Sequence, residues 1–179
     1  YDKICLGTAN FNLRNELKKK KVDFKNIKKI IQYSKQKKIK FLDTAISYNN
    51  SKTVLSKINL NKFHLITKIS LPKRKIKNLH DWIIQSILDE KKKLKIKIFY
   101  ALLFHNTKIF EKKIYISQIC TAIDYLKKKK IIKKVGLSIY DPTELDKYFH
   151  YYKFEIIQFP LNIFDRRIIN TGWLNKLKK

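Results

Sequence analysis

The chain has 179 residues, 44% of them hydrophobic and 13% aromatic, which is enough for one folded domain and excludes a disordered protein. Its 42 Lys and Arg residues against 14 Asp and Glu give a formal charge of +28, so nucleic acid or an anionic membrane is a candidate partner. Only four of the cations are arginine, however, and the lysines are spread along the whole chain. This pattern is typical of compositional drift and not of a specific nucleic-acid reader.

Cysteine and hydropathy patterns indicate the cellular compartment of the protein. Cys5 and Cys120 are isolated, with no Cys-x-x-Cys pair and no histidine at metal-ligand spacing, so we expect neither a disulfide framework nor a metal site. No apolar run approaches the roughly 18 residues of a membrane span, and no signal peptide is visible. We therefore predict a cytoplasmic protein without membrane contact.

Short apolar runs alternate with longer amphipathic segments along the chain. The segments 22–34, 82–94 and 116–126 carry apolar residues every three or four positions and predict helices. Asp141 and Pro142 supply the start signal of a further helix. The short runs predict buried strands over residues 3–9, 40–45, 63–69, 98–105, 133–140 and 154–162.

Strands that alternate with helices predict a parallel sheet, either doubly wound or closed as a (β/α)8 barrel. About six strand–helix units fit into 179 residues, so a barrel, which usually needs about 250 residues, would be incomplete. The chain has only three glycines and lacks both the Gly-x-Gly-x-x-Gly pattern and a P-loop. The absence of these nucleotide-binding signatures weakens the doubly wound alternative.

Reactive side chains fall where predicted strands end. Asp43 ends the second strand, Tyr48 follows it in a loop, Lys68 lies near the end of the third, and His105 ends the fourth. The carboxyl ends of parallel strands meet at one face, which is where barrel enzymes carry their catalytic groups. A buried Asp, Lys or His costs desolvation free energy unless it is paired, so packing alone does not explain this placement.

The four residue types suit the reduction of a carbonyl group. A phenol, with an ordinary pKa of about 10, is a weak acid at neutral pH, and a neighbouring ammonium favours the phenolate. We therefore expect Lys68 to lower the pKa of Tyr48, Asp43 to hold Lys68, and His105 to orient the carbonyl. Tyr48 would protonate the oxygen as hydride reaches the carbon. Taken singly, each residue has an ordinary structural explanation, for example Asp43 as a helix cap.

These residues belong to a set of segments that resembles the aldo-keto reductases. The resemblance runs through nearly the whole chain in the family's order, in the stretches LGTANF (6–11), DTAISY (43–48), ITKI (66–69), LLFHN (102–106), GLSIYDP (136–142) and IIQFPLNIFDRR (156–167).

The resemblance implies a (β/α)8 barrel, NADPH or NADH as hydride donor, and a small-molecule aldehyde or ketone as substrate. It implies that Tyr48 is the general acid, Lys68 its partner, Asp43 the partner of Lys68, and His105 the substrate-orienting group. The same resemblance places three further residues near the nicotinamide, namely Ser138, Gln158 and Asn162. No specific nucleic-acid partner is implied, and the oligomeric state is not indicated.

The chain departs from the family pattern at three places. Ile139 and Tyr140 follow Ser138, where many members have Asn or Phe. Asn49, Asn50, Ser51 and Lys52 stand where the family often has Gly-x-Ser-Glu, so Lys52 reverses a charge. The seventh and eighth strands, where the family binds the rest of the cofactor, are not in this sequence. We expect residues 1–179 to form a single barrel domain of about six units, truncated at its C-terminus. The alternative function is a catalytically inactive barrel that serves as a binding or regulatory module.

Overall fold

The computed structural model of the protein describes residues 3–11, 23–71 and 76–178, in which strands and helices alternate. The strands are β1 (Cys5–Gly7), β2 (Phe41–Asp43), β3 (His64–Ile69), β4 (Phe99–Phe104), β5 (Ile132–Ser138) and β6 (Ile156–Gln158). The helices are α1 (Phe24–Gln36), α2 (Asn49–Leu55), α3 (Leu79–Leu94), α4 (Lys113–Lys128), α5 (Thr143–Tyr148), α6 (Arg167–Asn170) and α7 (Trp173–Lys176). Single 3₁₀ turns follow β4 at Thr107–Phe110 and α5 at Phe149–Tyr151.

The six described strands form one sheet in strict chain order, and each pairs with the next in parallel. A doubly wound sheet reverses its strand order at a switch point, and this sheet has no reversal. Sequential parallel strands with a helix on each crossover are the order of a (β/α)8 barrel. The predicted barrel class is confirmed, with six of its eight β/α units present in the described residues.

All six strands are shorter than the apolar runs that predict them, and three of them contain half of the predicted residues or fewer. The ladders of β1, β2 and β6 each contain three residues, because the chain leaves the sheet after Gly7, Asp43 and Gln158. After β6, Pro160 has no N–H to offer a ladder. The segments that follow β2 and β6 contribute residues to the cleft described below.

The predicted helices pack their apolar faces against the sheet. Ile30, which the apolar spacing of segment 22–34 places on the first stripe, is 40% exposed. Six other stripe residues within α1, α3 and α4 are almost completely buried, and they join strand residues such as Leu102 and Phe104 in one core. These stripe residues are Ile27 and Ile31, Ile83 and Ile87, and Ile119 and Ile123. Val22, the first residue of the first predicted stripe, lies outside the described residues.

The last predicted helix begins slightly later than its start signal. Pro142 occupies the cap position of α5, and Asp141 accepts hydrogen bonds from the backbone N–H (2.9 Å) and the hydroxyl (2.7 Å) of Thr143. Throughout the described part of the chain, none of the helices combines the length and the apolar character that crossing a bilayer requires.

Candidate active site

Strand register places one row of polar residues on the same face of the sheet. Asp43 pairs with Ile66, and Lys68 lies two residues further along β3, so both side chains point to the same face. The same two-residue step leads from Leu103, the partner of Lys68, to His105. On β5, Gly136 pairs with Leu103, and Ser138 lies two residues beyond Gly136 on the same face. Ser138 in turn pairs with Gln158 of β6.

Asp43 and Lys68 form a bidentate ion pair at the base of this row. Lys68 Nζ lies 2.5 Å from each carboxylate oxygen of Asp43 and 3.4 Å from the carbonyl oxygen of Thr44. The Lys68 side chain is only 3% exposed and that of Asp43 14%. A buried ammonium requires such a partner, because its desolvation would otherwise destabilise the fold. The predicted contact between these two residues is present.

Tyr48 and His105 lie next to this ion pair. Lys68 Nζ is 5.8 Å from the centroid of the Tyr48 ring, which is within the range of a cation–π contact. The Tyr48 and His105 rings meet edge to face, with their centroids 6.0 Å apart. Four side chains from three strand ends and one loop therefore converge as the sequence predicts.

The pKa of Tyr48 does not move in the predicted direction. Burial, followed by the negative charge of Asp43 and by Tyr140, raises the pKa of Tyr48 above its usual value of 10.0. The expectation that Lys68 lowers this pKa fails here because both oxygens of Asp43 face the ammonium, so the two charges offset each other. Tyr48 therefore keeps its proton at neutral pH, which is the form that a proton donor needs.

His105 is neutral at neutral pH. Burial and, to a smaller extent, the positive charge of Lys68 lower the pKa of His105 below its usual value of 6.5. Its backbone N–H donates to the carbonyl oxygen of Ile69 at 2.8 Å, which continues the β3–β4 ladder by one residue. A neutral imidazole at this position can donate one hydrogen bond to a substrate oxygen.

An open cleft of about 260 Å³ lies over the row. Asp43, Tyr48, Lys68 and His105 form one wall, and the ends of β5 and β6 contribute Ser138 and Gln158. Apolar and aromatic residues complete the lining, namely Ile139, Tyr140, Phe159 and Pro160. The cleft thus combines the predicted catalytic residues with two of the three predicted cofactor-binding residues.

The structure does not bring the third of these residues, Asn162, into the cleft. Asn162 is exposed in the loop after β6, and its side-chain oxygen accepts hydrogen bonds from the N–H groups of Phe164 (2.9 Å) and Asp165 (3.0 Å). Its own N–H donates to the carbonyl oxygen of Asp165 at 3.1 Å. The side chain is engaged in holding a turn, and spacing along the sequence could not show this.

The model of the Aldo/keto reductase family matches residues 3–179. The chain belongs to the aldo/keto reductase family. A comparison with curated proteins gives no significant match.

Solved structures of aldo-keto reductases share the fold at low sequence identity. A thermostable aldo-keto reductase in complex with the inhibitor epalrestat superposes with a TM-score of 0.74 at 17% identity, over 96% of this chain and 62% of that one. The holo form of an aldo-keto reductase from Bacillus halodurans superposes with a TM-score of 0.75 at 19% identity, over 97% of this chain and 58% of that one. An aldo-keto reductase from Klebsiella pneumoniae in complex with NADPH superposes with a TM-score of 0.68 at 14% identity, over 97% of this chain and 60% of that one. The chain thus spans about 60% of the length of these relatives.

One arginine organises the rim of the cleft in this member of the family. Arg167 binds the carboxylates of Asp141 and Asp165 at 2.8 Å each and donates to the carbonyl oxygen of Tyr140 at 2.9 Å. It thereby ties the loop after β5 to the loop after β6. No motif or spacing in the sequence predicts these contacts of Arg167, and the nearby Asp165 is the one local signal.

A second group that sequence reasoning missed lies behind the Tyr48 loop. Lys52, noted in the sequence only for its reversed charge, pairs with Glu90 of α3 at 3.0 Å, and both side chains are buried. A signal for this pair existed, because Glu90 falls on the apolar stripe of α3 between Ile87 and Leu94. In the described part of the chain, no group of His, Cys, Asp and Glu residues is arranged to hold a metal ion.

Proposed function

We propose that this aldo/keto reductase is an oxidoreductase that uses NADPH or NADH to reduce an aldehyde or ketone to an alcohol. The observation that carries the proposal is the convergence of Tyr48, His105 and the Lys68–Asp43 ion pair in one cleft at the carboxyl ends of β2 to β4. A proton donor, a neutral hydrogen-bond donor and a held cation on one wall are the groups that a developing alkoxide needs.

Tyr48 would supply the proton. Its raised pKa keeps the phenol protonated at neutral pH, and an alkoxide is a much stronger base than a phenolate, so transfer to the substrate oxygen is downhill. In the reverse direction, oxidation of an alcohol, Tyr48 would have to lose this tightly held proton first. Oxidation at neutral pH would therefore start from the small fraction of enzyme in which Tyr48 is deprotonated.

His105 and Lys68 would stabilise the same oxygen. Neutral His105, packed against the Tyr48 ring, would donate a hydrogen bond that orients the carbonyl. Lys68 lies on the same side. Because Asp43 fixes its position and offsets much of its charge, Lys68 would contribute less than His105 to stabilising the negative charge that develops on oxygen. Both groups are preorganised by the sheet and need no rearrangement during the reaction.

Ser138 and Gln158 fit the polar end of a nicotinamide. They are paired neighbours on β5 and β6 and line the same cleft as Lys68 and Tyr48. A hydroxyl and a side-chain amide can both donate to and accept from a carboxamide group. When bound, the cofactor supplies the hydride. Asn162 would contact it only if the loop after β6 released its side chain, so we assign it no role.

The proposal is tested by assaying the native protein, isolated from its own source, with NADPH or NADH and a panel of aliphatic, aromatic and sugar aldehydes and ketones. We expect the absorbance of the reduced nicotinamide to fall while an equimolar amount of alcohol forms. Binding of the nucleotide is measured separately, by fluorescence titration. A folded protein that binds the nucleotide but turns over none of the carbonyls would overturn the proposal in favour of an inactive binding module.

A further inference from the structure

Lys52 contacts the loop that carries Tyr48 through both its backbone and its side chain. Its backbone N–H donates to the carbonyl oxygen of Tyr48 at 2.9 Å, as expected at the start of α2. Its side-chain Nζ turns back and donates to the carbonyl oxygen of Ile46, also at 2.9 Å. One residue therefore binds the loop at two carbonyl groups, on either side of Ser47.

The loop between β2 and α2 is anchored on its other side by β3. The N–H groups of Thr44 and Ile46 donate to the carbonyl oxygens of Ile66 (2.9 Å) and Lys68 (3.0 Å). Ile46 is consequently held at its N–H by the strand that carries Lys68 and at its carbonyl by Lys52. Removal of the Lys52 contact would leave the second half of the loop, which ends at Tyr48, attached at fewer points.

Stabilisation of the fold does not by itself explain the Lys52–Glu90 ion pair. The side chains are 11% and 2% exposed, so both charges are desolvated. Glu90 Oε2 lies 3.0 Å from Lys52 Nζ, but among the described residues Glu90 Oε1 has no hydrogen-bond partner. Replacing a buried pair with apolar side chains is often neutral or stabilising, and an incompletely satisfied pair gains least from being kept.

We propose that Lys52 is a positioning residue that fixes the Tyr48 loop by donating to the carbonyl of Ile46, and that Glu90 holds Lys52 in place for this purpose. The proposal rests on the function proposed above, because it assigns Lys52 to the setting of the proton donor. It requires a hydrogen-bond donor at position 52. A negative charge at position 90 without a donor at position 52 would not suffice. An ion pair with the two charges exchanged would not suffice either, because it places no donor near the Ile46 carbonyl.

Two double variants separate positioning from stability. The exchanged pair Lys52→Glu with Glu90→Lys keeps opposite charges but places an acceptor against the Ile46 carbonyl. The apolar pair Lys52→Met with Glu90→Leu removes both charges and avoids an unpaired buried ion. If one pair fails to fold, the other still tests the proposal. The variant Lys52→Arg keeps a donor and serves as the conservative control.

The first measurement is amide hydrogen exchange of Ile46 and Tyr48 in the folded protein, compared with buried core amides such as that of Leu102. We expect about tenfold faster exchange in the loop of either double variant, unchanged exchange in the core, and wild-type protection in Lys52→Arg. Wild-type protection of the loop in a folded double variant would overturn the proposal.

The second measurement is steady-state carbonyl reduction. We expect a loss of about tenfold or more in kcat for the double variants, with little change in the KM for the nucleotide, because misplacement of the proton donor slows the chemical step. Unchanged kcat in a variant with a loosened loop would also contradict the proposal. If the wild-type protein reduces no carbonyl at all, the function fails, while the exchange data still decide whether Lys52 fixes the loop.

Discussion

Lys68 Nζ lies at the same distance, 2.5 Å, from both carboxylate oxygens of Asp43, although the two residues are not direct partners in the sheet. Asp43 pairs with Ile66, and Lys68 is one two-residue step further along the next strand. This diagonal relation repeats from β3 to β4, where it leads from Lys68 to His105, whereas Ser138 of β5 lies level with His105 on the same face. The stagger of the barrel strands therefore assembles the site from residues that are far apart in the chain.

The first prediction concerns the stability of this ion pair. Asp43→Asn should destabilise the fold by about 3 kcal/mol, because it leaves the ammonium of Lys68 buried without a countercharge. Lys68→Met should destabilise the fold by a comparable amount, since it leaves the carboxylate of Asp43 without a countercharge. The double variant should recover most of the loss. Urea unfolding of all four proteins gives the coupling free energy, which we expect to be at least about 2 kcal/mol. Strictly additive effects would show that the pair is not coupled.

The second prediction concerns Tyr48. Replacement with Phe removes the hydroxyl and keeps the ring that packs against His105. Carbonyl reduction should fall by at least about 100-fold, the scale of lost general-acid catalysis, while nucleotide binding is retained. Tyr33→Phe is the matched control, because Tyr33 is 58% exposed on α1 and lies outside the cleft lining. A fully active Tyr48→Phe protein would exclude Tyr48 as the proton donor.

The third prediction concerns the pH dependence of stability. The folded pKa of His105 is lowered from its usual value of about 6.5, so below that pH the unfolded chain binds a proton that the native site does not. His105 therefore lowers the free energy of unfolding progressively as the pH falls through about 6.5. Above that pH it has no such effect.

The variant His105→Asn removes this titrating group. The free energy of unfolding of the wild-type protein minus that of the variant should be constant above about pH 7 and should decrease as the pH falls below about 6.5. Urea unfolding across this range measures the difference. A difference that does not change with pH would show that burial does not hold His105 in its neutral form.

The sequence predicts the strand-end residues well and the roles of individual side chains less well. Asp43, Lys68 and His105 were predictable because parallel strands must bring their carboxyl ends to one face. The pKa of Tyr48 was not, because its direction depends on how closely Asp43 neutralises Lys68 in three dimensions. The position of Asn162 outside the cleft lining was not predictable for a similar reason, since a loop whose shape the sequence does not give separates it from the end of β6.

Long-range partners are the other class of feature that the sequence leaves open. Lys52 and Glu90 lie 38 positions apart on different helices, and only the interruption of the apolar stripe of α3 marks Glu90 as unusual. In a chain with 42 basic residues, spacing cannot indicate which lysine pairs with a given acid. Packing of α2 against α3 decides the pairing.

The fourth prediction concerns Gly136. A Cβ atom at this position of β5 would lie 1.9 Å from the backbone carbonyl oxygen of Ile156 and 2.8 Å from Leu103 Cδ2. Because the nearest atom belongs to the backbone of β6, it cannot move aside without shifting the strand. We expect Gly136→Ala to destabilise the fold by about 3 kcal/mol or more and to detach β6.

Gly7→Ala is the matched control for Gly136→Ala. Gly7 lies on the same face of the sheet, since it pairs with Asp43, yet a Cβ there would meet no atom within 4 Å. This variant should be neutral or slightly stabilising, because alanine restricts the unfolded chain. Thermal unfolding of both variants tests the contrast, and equal stabilities would show that β6 yields to the added methyl group.

The last prediction concerns the ends of the helices. Lys38, Lys95 and Lys130 follow α1, α3 and α4 with φ values of 56°, 54° and 53°, in the left-handed region that favours glycine. Lys95 is exposed, and its N–H closes the last turn of α3 by donating to the carbonyl oxygen of Lys92 at 3.2 Å. A side chain at this backbone conformation costs about 1 kcal/mol, which glycine avoids.

Lys95→Gly should therefore raise the free energy of unfolding by about 0.5–1 kcal/mol, even though it removes a side chain. Lys92→Gly, three residues earlier and within α3, should lower it by a similar amount, because glycine is a poor helix former. Both changes remove one positive charge from the same helix end, so any benefit from reduced charge repulsion is common to them. Urea unfolding of the two variants isolates the backbone effect, and a loss of stability in Lys95→Gly would show that the left-handed conformation carries no strain.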